Sequence, residues 1–217
     1  MKYSQNFEVE FKILASERDF SELCNMLIDQ YGLPGAVRHF QRTQHYFDTE
    51  LGDLDQRGSS FRKKHGKNSY CYKYRVEWPG QAVARREVFC EDLPFALNQE
   101  DPLHSRIPVL AYLNEHFNEY PVTLLRQLSI FTKRTYYHFY LPNDPVPCFG
   151  IYYDDNEGWL HRDEEKRISW SEIEIEVNGR NIEHVEKVET IGSSLCNRLS
   201  KVPSNISKYS HALAILT

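Results

Sequence analysis

Residues Phe7 to Leu14 read FEVEFKIL and alternate strictly between apolar and charged side chains. Side chains repeat every second residue along a strand, so Glu8, Glu10 and Lys12 share one face and the apolar residues share the other. For one strand alone, the simplest interpretation is a half-buried antiparallel strand with a solvated charged face. The stretch SEIEIEV, Ser171 to Val177, repeats this alternation near the other end of the chain.

The composition is typical of a folded globular protein. The 217 residues are 41% hydrophobic and 13% aromatic, which is enough to form a sizeable core, and we expect one domain over residues 1–217. A net charge of −5 argues against nucleic-acid binding through general basicity. The sequence shows no signal-peptide pattern and no apolar run of the ~20 residues that a membrane helix needs. We therefore expect a cytoplasmic monomer or homodimer that binds neither nucleic acid nor membranes.

The order of β-type and helical patterns predicts an α+β fold. Besides the two quoted stretches, strands are predicted at Arg38–Asp48, Ser60–Lys64, Ser69–Glu77, Ala84–Cys90, Leu128–Leu141 and Phe149–Asp154. Helices are predicted after an N-cap at Ser16, within Pro102–Tyr120 and over Ile182–Leu199. The charged run His161–Arg167 is predicted to be a solvated hairpin turn. Eight strands flanked by helices favour an antiparallel β-barrel, because closure removes exposed sheet edges.

Charged side chains fall on one face of most of the predicted strands. They are Glu8, Glu10, Lys12, Arg62, Lys64, Lys73, Arg75, Arg85, Glu87, Arg134, Asp154, Glu172, Glu174 and Glu176. On an open sheet these groups would face water, and each ion pair would contribute only ~0–1 kcal/mol. The opposite faces are apolar and could be covered by helices, so a barrel could instead turn the charges inward, toward a lumen.

A lumen lined by both signs of charge suits a phosphate polyanion together with a divalent metal. Arg and Lys donate charge-assisted hydrogen bonds to phosphate oxygens, whereas clustered carboxylates repel one another unless a cation neutralises them. The candidate ligands for Mg²⁺ or Mn²⁺ are Glu8, Glu10, Asp154, Glu172 and Glu174. Strand alternation favours Asp154 over Asp155 as the lumen residue, although a bulge would reverse that choice.

Taken in order, these motifs resemble the CYTH superfamily, the triphosphate tunnel metalloenzymes. Glu8, Glu10 and Lys12 match the E-x-E-x-K signature of the first strand. Similar pieces follow over nearly the whole chain as HYFDT, LDQRGSSFRKK, YKYR, ARREVF, FTKRTYY, YYDD, SEIEIEV and SKYS. The resemblance implies an eight-stranded antiparallel tunnel that binds a triphosphate with divalent metal.

The resemblance, combined with strand parity, implies the roles of the lumen residues. The catalytic residues are expected to be Glu8, Glu10, Lys12 and Glu174. The expected substrate-binding residues are Lys12, Arg62, Lys64, Lys73, Arg75, Arg85, Arg134 and Lys208. The expected metal ligands are Glu8, Glu10, Glu87, Asp154, Glu172 and Glu174. The sequence departs from the family pattern at Lys64, where Arg is frequent, and at Phe89, which replaces the second glutamate of an R-x-E-x-E strand.

The leading functional hypothesis is metal-dependent hydrolysis of inorganic triphosphate, since no motif identifies a pocket for an adenine or thiazolium ring. Thiamine triphosphate is the second substrate, because Tyr3, Tyr136, Tyr152 and Trp159 could form an aromatic mouth for a cationic ring. Class IV-type adenylate cyclase chemistry and a non-catalytic polyphosphate-binding or nucleotide-binding module stay open as alternatives.

Overall fold

The computed structural model describes residues 2–31, 34–64, 69–91, 102–103, 122–140, 146–178 and 182–217. The strands are β1 (Lys2–Leu14), β2 (Arg38–Asp48), β3 (Ser59–Lys64), β4 (Ser69–Val76), β5 (Val83–Glu91), β6 (Pro102–Leu103), β7 (Val122–Thr123), β8 (Leu125–Tyr140), β9 (Pro147–Leu160) and β10 (Arg167–Asn178). The helices are α1 (Glu17–Tyr31), α2 (Asp53–Gln56), α3 (Val185–Leu199) and α4 (Lys208–Leu216).

Eight strands form a closed barrel in the order β1-β10-β9-β8-β2-β3-β4-β5, and β5 returns to β1. Every neighbouring pair is antiparallel. The two alternating strands of the sequence are adjacent, with Lys12 opposite Glu174 and Phe11 opposite Ile175. The first and last strands therefore place their charged faces side by side.

The apolar face of β1 and β10 packs against α1 and α3 on the outside of the barrel. Phe11, Leu23 and Leu195 belong to this core and are almost fully buried. A side chain at Gly192 would meet the Phe11 ring at 2.3 Å, so the glycine allows α3 to approach β1 closely. Because the helices take up the apolar face, the charged face of both strands is turned into the barrel.

One end of the barrel is covered by α4. Ser207 caps this helix by accepting a hydrogen bond from the Ser210 amide at 3.0 Å. The Tyr209 ring stacks on Tyr46 of β2 at 5.5 Å, and its hydroxyl donates to the buried Asp48 at 3.1 Å. The first residue of α4, Lys208, is thereby placed inside the barrel.

The predicted α+β barrel with flanking helices is confirmed. Some strands are longer than predicted: β9 was predicted at Phe149–Asp154 and spans Pro147–Leu160. Ser16 does cap α1, since it accepts from the Asp19 amide at 3.3 Å. The charged run predicted as a hairpin turn connects β9 to β10. No helix was predicted for the last segment of the chain, where the structure places α4. The helix predicted within Pro102–Tyr120 falls largely outside the described residues, apart from the two-residue strand β6 at its start. Among the helices that the structure describes, none is long and apolar enough to span a membrane.

Candidate functional site

The inward-facing side chains surround a polar cavity of about 200 Å³. Its walls are formed by Asn6, Glu8, Glu10, Arg42, Arg62, Lys64, Lys73, Glu87, Phe89, Arg134, Tyr152, Glu174, Glu176 and Lys208. A smaller cavity of about 30 Å³ shares several of these residues and adds Lys12 and Arg85. The barrel thus brings together most of the site residues predicted from the sequence.

One predicted site residue, Arg75, lies apart from the charged lumen. It is exposed near the end of β4 and lines a different cavity of about 870 Å³ with Arg57, which follows α2, and with residues of the β4–β5 hairpin such as Trp78. Strand parity places Arg75 on the same face as Lys73, but its side chain is exposed and lines neither of the two lumen cavities. We therefore leave Arg75 out of the candidate site.

Three carboxylates converge on the wall formed by β9 and β10. Asp154, Glu172 and Glu174 each offer an oxygen within 4.8 Å of the others, and all three residues are buried. Asp154 faces the lumen, whereas Asp155 is exposed and accepts from the Ser171 hydroxyl at 3.5 Å. We call Asp154, Glu172 and Glu174 the acidic cluster.

Basic side chains neutralise the acidic cluster. The Lys208 ammonium lies 2.8 Å from Asp154 and 2.7 Å from Glu174, and it also contacts Glu172. Arg134 donates to both Asp154 and Glu174. Lys12 lies 3.1 Å from Glu174. The expected repulsion between lumen carboxylates is thus offset by cations of the chain itself.

These cations control the ionisation of the acidic cluster. Burial alone would raise the pKa of Glu174, but Lys208, Lys12 and Arg134 hold it well below its ordinary value. Asp154 behaves in the same way, since Arg134 and Lys208 outweigh the effect of burial and lower its pKa. Both carboxylates are therefore negatively charged at neutral pH.

The other three predicted metal ligands, Glu8, Glu10 and Glu87, lie on β1 and β5 outside the acidic cluster. Each is paired with basic residues of β3, β4 or β5. Lys73 contacts Glu8 directly and lies 3.5 Å from Glu10. Glu10 also accepts from Arg85 at 2.9 Å, and Glu87 accepts from Arg62 at 2.8 Å. The structure thus separates the predicted ligands into one compact cluster and three carboxylates that share Lys73.

Two charged lumen residues were not assigned to the site from the sequence. Glu176 follows Glu174 on the same face of β10, and burial raises its pKa to about 7. Arg42 lies on the inward face of β2, opposite Thr132 of β8. Strand parity could have found both residues, because each lies on the inward face of its strand, but Glu176 was given no role and no charged residue of β2 was assigned to the site.

Aromatic residues line the wall of the lumen next to the acidic cluster. Tyr136 and Tyr152 stack at 5.5 Å, and Phe40 meets Tyr136 edge to face at 6.0 Å. The Arg134 guanidinium lies over the Tyr152 ring at 4.6 Å. Trp159, predicted to share an aromatic mouth with these tyrosines, instead stacks under Arg167 next to the hairpin turn. The side chain of Tyr3 lies outside the described part of the structure.

The acidic cluster is chemically suited to a hard divalent cation. Its donors are all carboxylate oxygens, which Mg²⁺ and Mn²⁺ prefer. In addition, Glu172 Oε1 is buried and accepts no hydrogen bond from a described residue, although the Lys208 ammonium lies beside it. A metal at this position would take the place of the Lys208 ammonium beside this oxygen.

Two solved structures share this fold over their whole length. An adenylate cyclase candidate from Bacillus halodurans has a TM-score of 0.59 at 16% identity, covering 95% of this chain and 97% of its own. An adenylyl cyclase candidate from Hippeastrum, with a dominant triphosphatase activity, has a TM-score of 0.55 at 15% identity, covering 98% and 97%. No protein-family model and no curated protein matches the sequence. At these identities the likeness establishes the shared barrel fold and leaves activity to be argued from the site.

Proposed function

We propose that the protein is a divalent-metal-dependent triphosphatase. The observation that carries the proposal is the convergence of Arg62, Lys73, Arg134 and Lys208 on one cavity beside the acidic cluster. Arg and Lys bind phosphate oxygens through charge-assisted hydrogen bonds, so four such groups suit an anion with several phosphates. The cavity volume of about 200 Å³ is below the roughly 300–1,000 Å³ of pockets for drug-sized ligands, which favours a compact polyanion.

The acidic cluster would hold Mg²⁺ or Mn²⁺ through Asp154, Glu172 and Glu174. When bound, the metal would offset negative charge on the phosphoryl oxygens. Lys208 and Arg134 now occupy the oxygens of this cluster and would have to turn toward phosphate. Binding would therefore exchange ion pairs within the chain for contacts to metal and substrate.

The remaining lumen residues would orient the substrate and the attacking water. Lys73 and Arg62 would hold the phosphates from the β3–β4 wall, and Lys12 would contact a phosphoryl group close to the acidic cluster. Loss of phosphate contacts would be felt strongly, because most of the catalysis of phosphoryl transfer comes from positioning and charge. Glu8 and Glu10 would be freed from Lys73 as it turns to phosphate, and could then accept a hydrogen bond from the water.

Inorganic triphosphate is the first proposed substrate, and a triphosphate with an organic group is the second. The stacked Tyr136 and Tyr152 favour the second, because an aromatic ring can stack on such a surface. A nucleotide, with or without cyclase chemistry, and thiamine triphosphate would both use that surface. The cytoplasmic location and the monomeric or dimeric state expected from the sequence belong to this proposal and can be checked by fractionation and light scattering.

The experiment is phosphate release from inorganic triphosphate, thiamine triphosphate and ATP, each with Mg²⁺, Mn²⁺ or chelator. Metal-dependent release from inorganic triphosphate supports the leading proposal, and preference for an organic triphosphate supports the second. Cyclic AMP and diphosphate as products from ATP would identify a cyclase instead. Binding without turnover of any of the three would identify a binding module.

A further inference from the structure

Arg42 differs from six other basic residues of the lumen. Lys12, Arg62, Lys73, Arg85, Arg134 and Lys208 each lie within 4 Å of a carboxylate. Among the residues that the structure describes, no carboxylate lies within that distance of the Arg42 guanidinium, and its buried Nε has no hydrogen-bond partner. The cation is held instead over the Phe40 ring, 5.0 Å from its centroid.

Two other cations, Arg134 and Arg62, lie near Arg42. Burial together with these arginines lowers the pKa of Arg42 to about 10, against an opposing effect of Tyr46 and Asp154, so it stays protonated at neutral pH. A buried cation without a close counter-ion is costly, and a bound anion would remove that cost. The guanidinium offers planar paired donors, which match two oxygens of a phosphate.

The position of Arg42 also indicates which phosphate it would meet. Arg134 and Arg42 both lie over Phe40, at 5.8 and 5.0 Å from the ring centroid. Arg134 contacts the acidic cluster directly, whereas Arg42 does not. Arg42 is therefore one step further from the acidic cluster than Arg134 along this wall of the cavity.

We infer that Arg42 is an additional phosphate-binding residue, which holds the phosphate furthest from the acidic cluster and so distinguishes triphosphate from diphosphate. This inference rests on the proposed function for the orientation of the substrate. Lys64 is a point charge and cannot bind two phosphate oxygens through paired donors as an arginine can. Its strand partner is Gln44, two residues along β2 from Arg42. Arg42 would therefore supply a guanidinium to this part of the lumen from the neighbouring strand.

The test is calorimetric titration with inorganic triphosphate and with diphosphate, both in chelator and in Mg²⁺. Arg42→Gln should weaken triphosphate binding by about tenfold or more, while diphosphate affinity changes by roughly twofold at most. Arg42→Lys keeps the charge but loses the fork, so it should fall between wild type and Arg42→Gln. The matched control is Arg86→Gln, which removes an exposed arginine from the outer face of β5. It should leave both affinities unchanged.

Unchanged triphosphate affinity in Arg42→Gln, or an equal loss for both ligands, would overturn the inference. If Arg42→Gln fails to fold, the Arg42→Lys titration decides by the same criteria. If Arg42→Gln selectively loses triphosphate affinity but the wild type shows no turnover, the inference about Arg42 is supported and the proposed triphosphatase activity is overturned. If the wild type turns over triphosphate but the variant shows no selective loss of affinity, only the inference about Arg42 is overturned. Failure of the wild type to bind triphosphate would overturn both claims.

Discussion

Removing the Lys208 ammonium should show how far the stability of the protein depends on neutralising the acidic cluster. Lys208 contacts all three carboxylates, and its side chain is only 8% exposed. Deleting one partner of a buried ion pair costs about 3–5 kcal/mol, because the remaining charge is left uncompensated. We expect Lys208→Gln to lower the free energy of unfolding by that amount when it is measured by urea denaturation in chelator.

A divalent metal should restore part of this loss. In the wild type an incoming cation must displace the Lys208 ammonium, whereas in Lys208→Gln it meets three carboxylates with less compensation. Metal at about 100 times its dissociation constant adds about 2.7 kcal/mol of stability. The stabilisation by Mg²⁺ or Mn²⁺ at a fixed concentration should therefore be larger in the variant than in the wild type.

Lys201→Gln is the matched control for this experiment. Lys201 pairs with Asp19 at 3.0 Å on the surface, and its side chain is 36% exposed. An exposed pair of this kind contributes about 0–1 kcal/mol, and no effect of metal is expected. The reasoning would be refuted if Lys208→Gln cost no more than the control, or if metal stabilised the variant no more than the wild type.

Three further predictions concern other parts of the lumen and core. The pKa of Glu176 is raised to about 7 in the folded protein. The free energy of unfolding should therefore fall as the pH rises from about 4.5 to about 7, because Glu176 loses its proton at lower pH in the unfolded chain than in the folded protein. In chelator, Glu176→Gln should therefore stabilise the protein at pH 8 by up to roughly 3 kcal/mol and have little effect at pH 4, as measured by urea denaturation. Gly192→Ala would force its Cβ against Phe11 and should lower the free energy of unfolding by about 1–3 kcal/mol, and a thermal midpoint equal to that of the wild type would contradict this. Arg62→Ala should weaken triphosphate binding by roughly 1.5–3 kcal/mol in calorimetry, whereas wild-type affinity would count against a phosphate contact.

Much of the barrel could be predicted because strand alternation is a local property. In FEVEFKIL, two faces of opposite character follow from a period of two, whatever the rest of the chain does. The same reasoning placed Glu172 and Glu174 with Asp154 on one side, and the structure brings these three together. Parity therefore predicted which residues face the lumen.

Strand parity could not predict the position of each side chain along the barrel axis. Arg75 has the parity of Lys73 and lies opposite the lumen residue Arg85, yet its side chain is exposed near the end of β4 and lines a different cavity. Register also decides that Glu10 meets Arg85 and that Glu87 meets Arg62. These pairings depend on strands that are distant in sequence, so neither composition nor motif spacing contains them.

The last helix shows a different limit of sequence reasoning. The nine residues of α4 form too short a pattern for a reliable helix prediction, and isolated helices of this length are marginal. The helix is stabilised by packing of Tyr209 on Tyr46 and by the hydrogen bond to Asp48. The same contacts of Tyr209 place Lys208 next to the acidic cluster.

The most direct test of the charged lumen as a triphosphatase site is phosphate release from inorganic triphosphate by the wild type, Glu174→Gln and Glu10→Gln. The wild type should release phosphate with Mg²⁺ or Mn²⁺ and not in chelator. Both variants should lose that activity, while Glu165→Gln, which changes an exposed carboxylate in the β9–β10 turn, should keep it. Wild-type turnover in chelator, or normal metal-dependent turnover in folded Glu174→Gln and Glu10→Gln, would contradict the assignment.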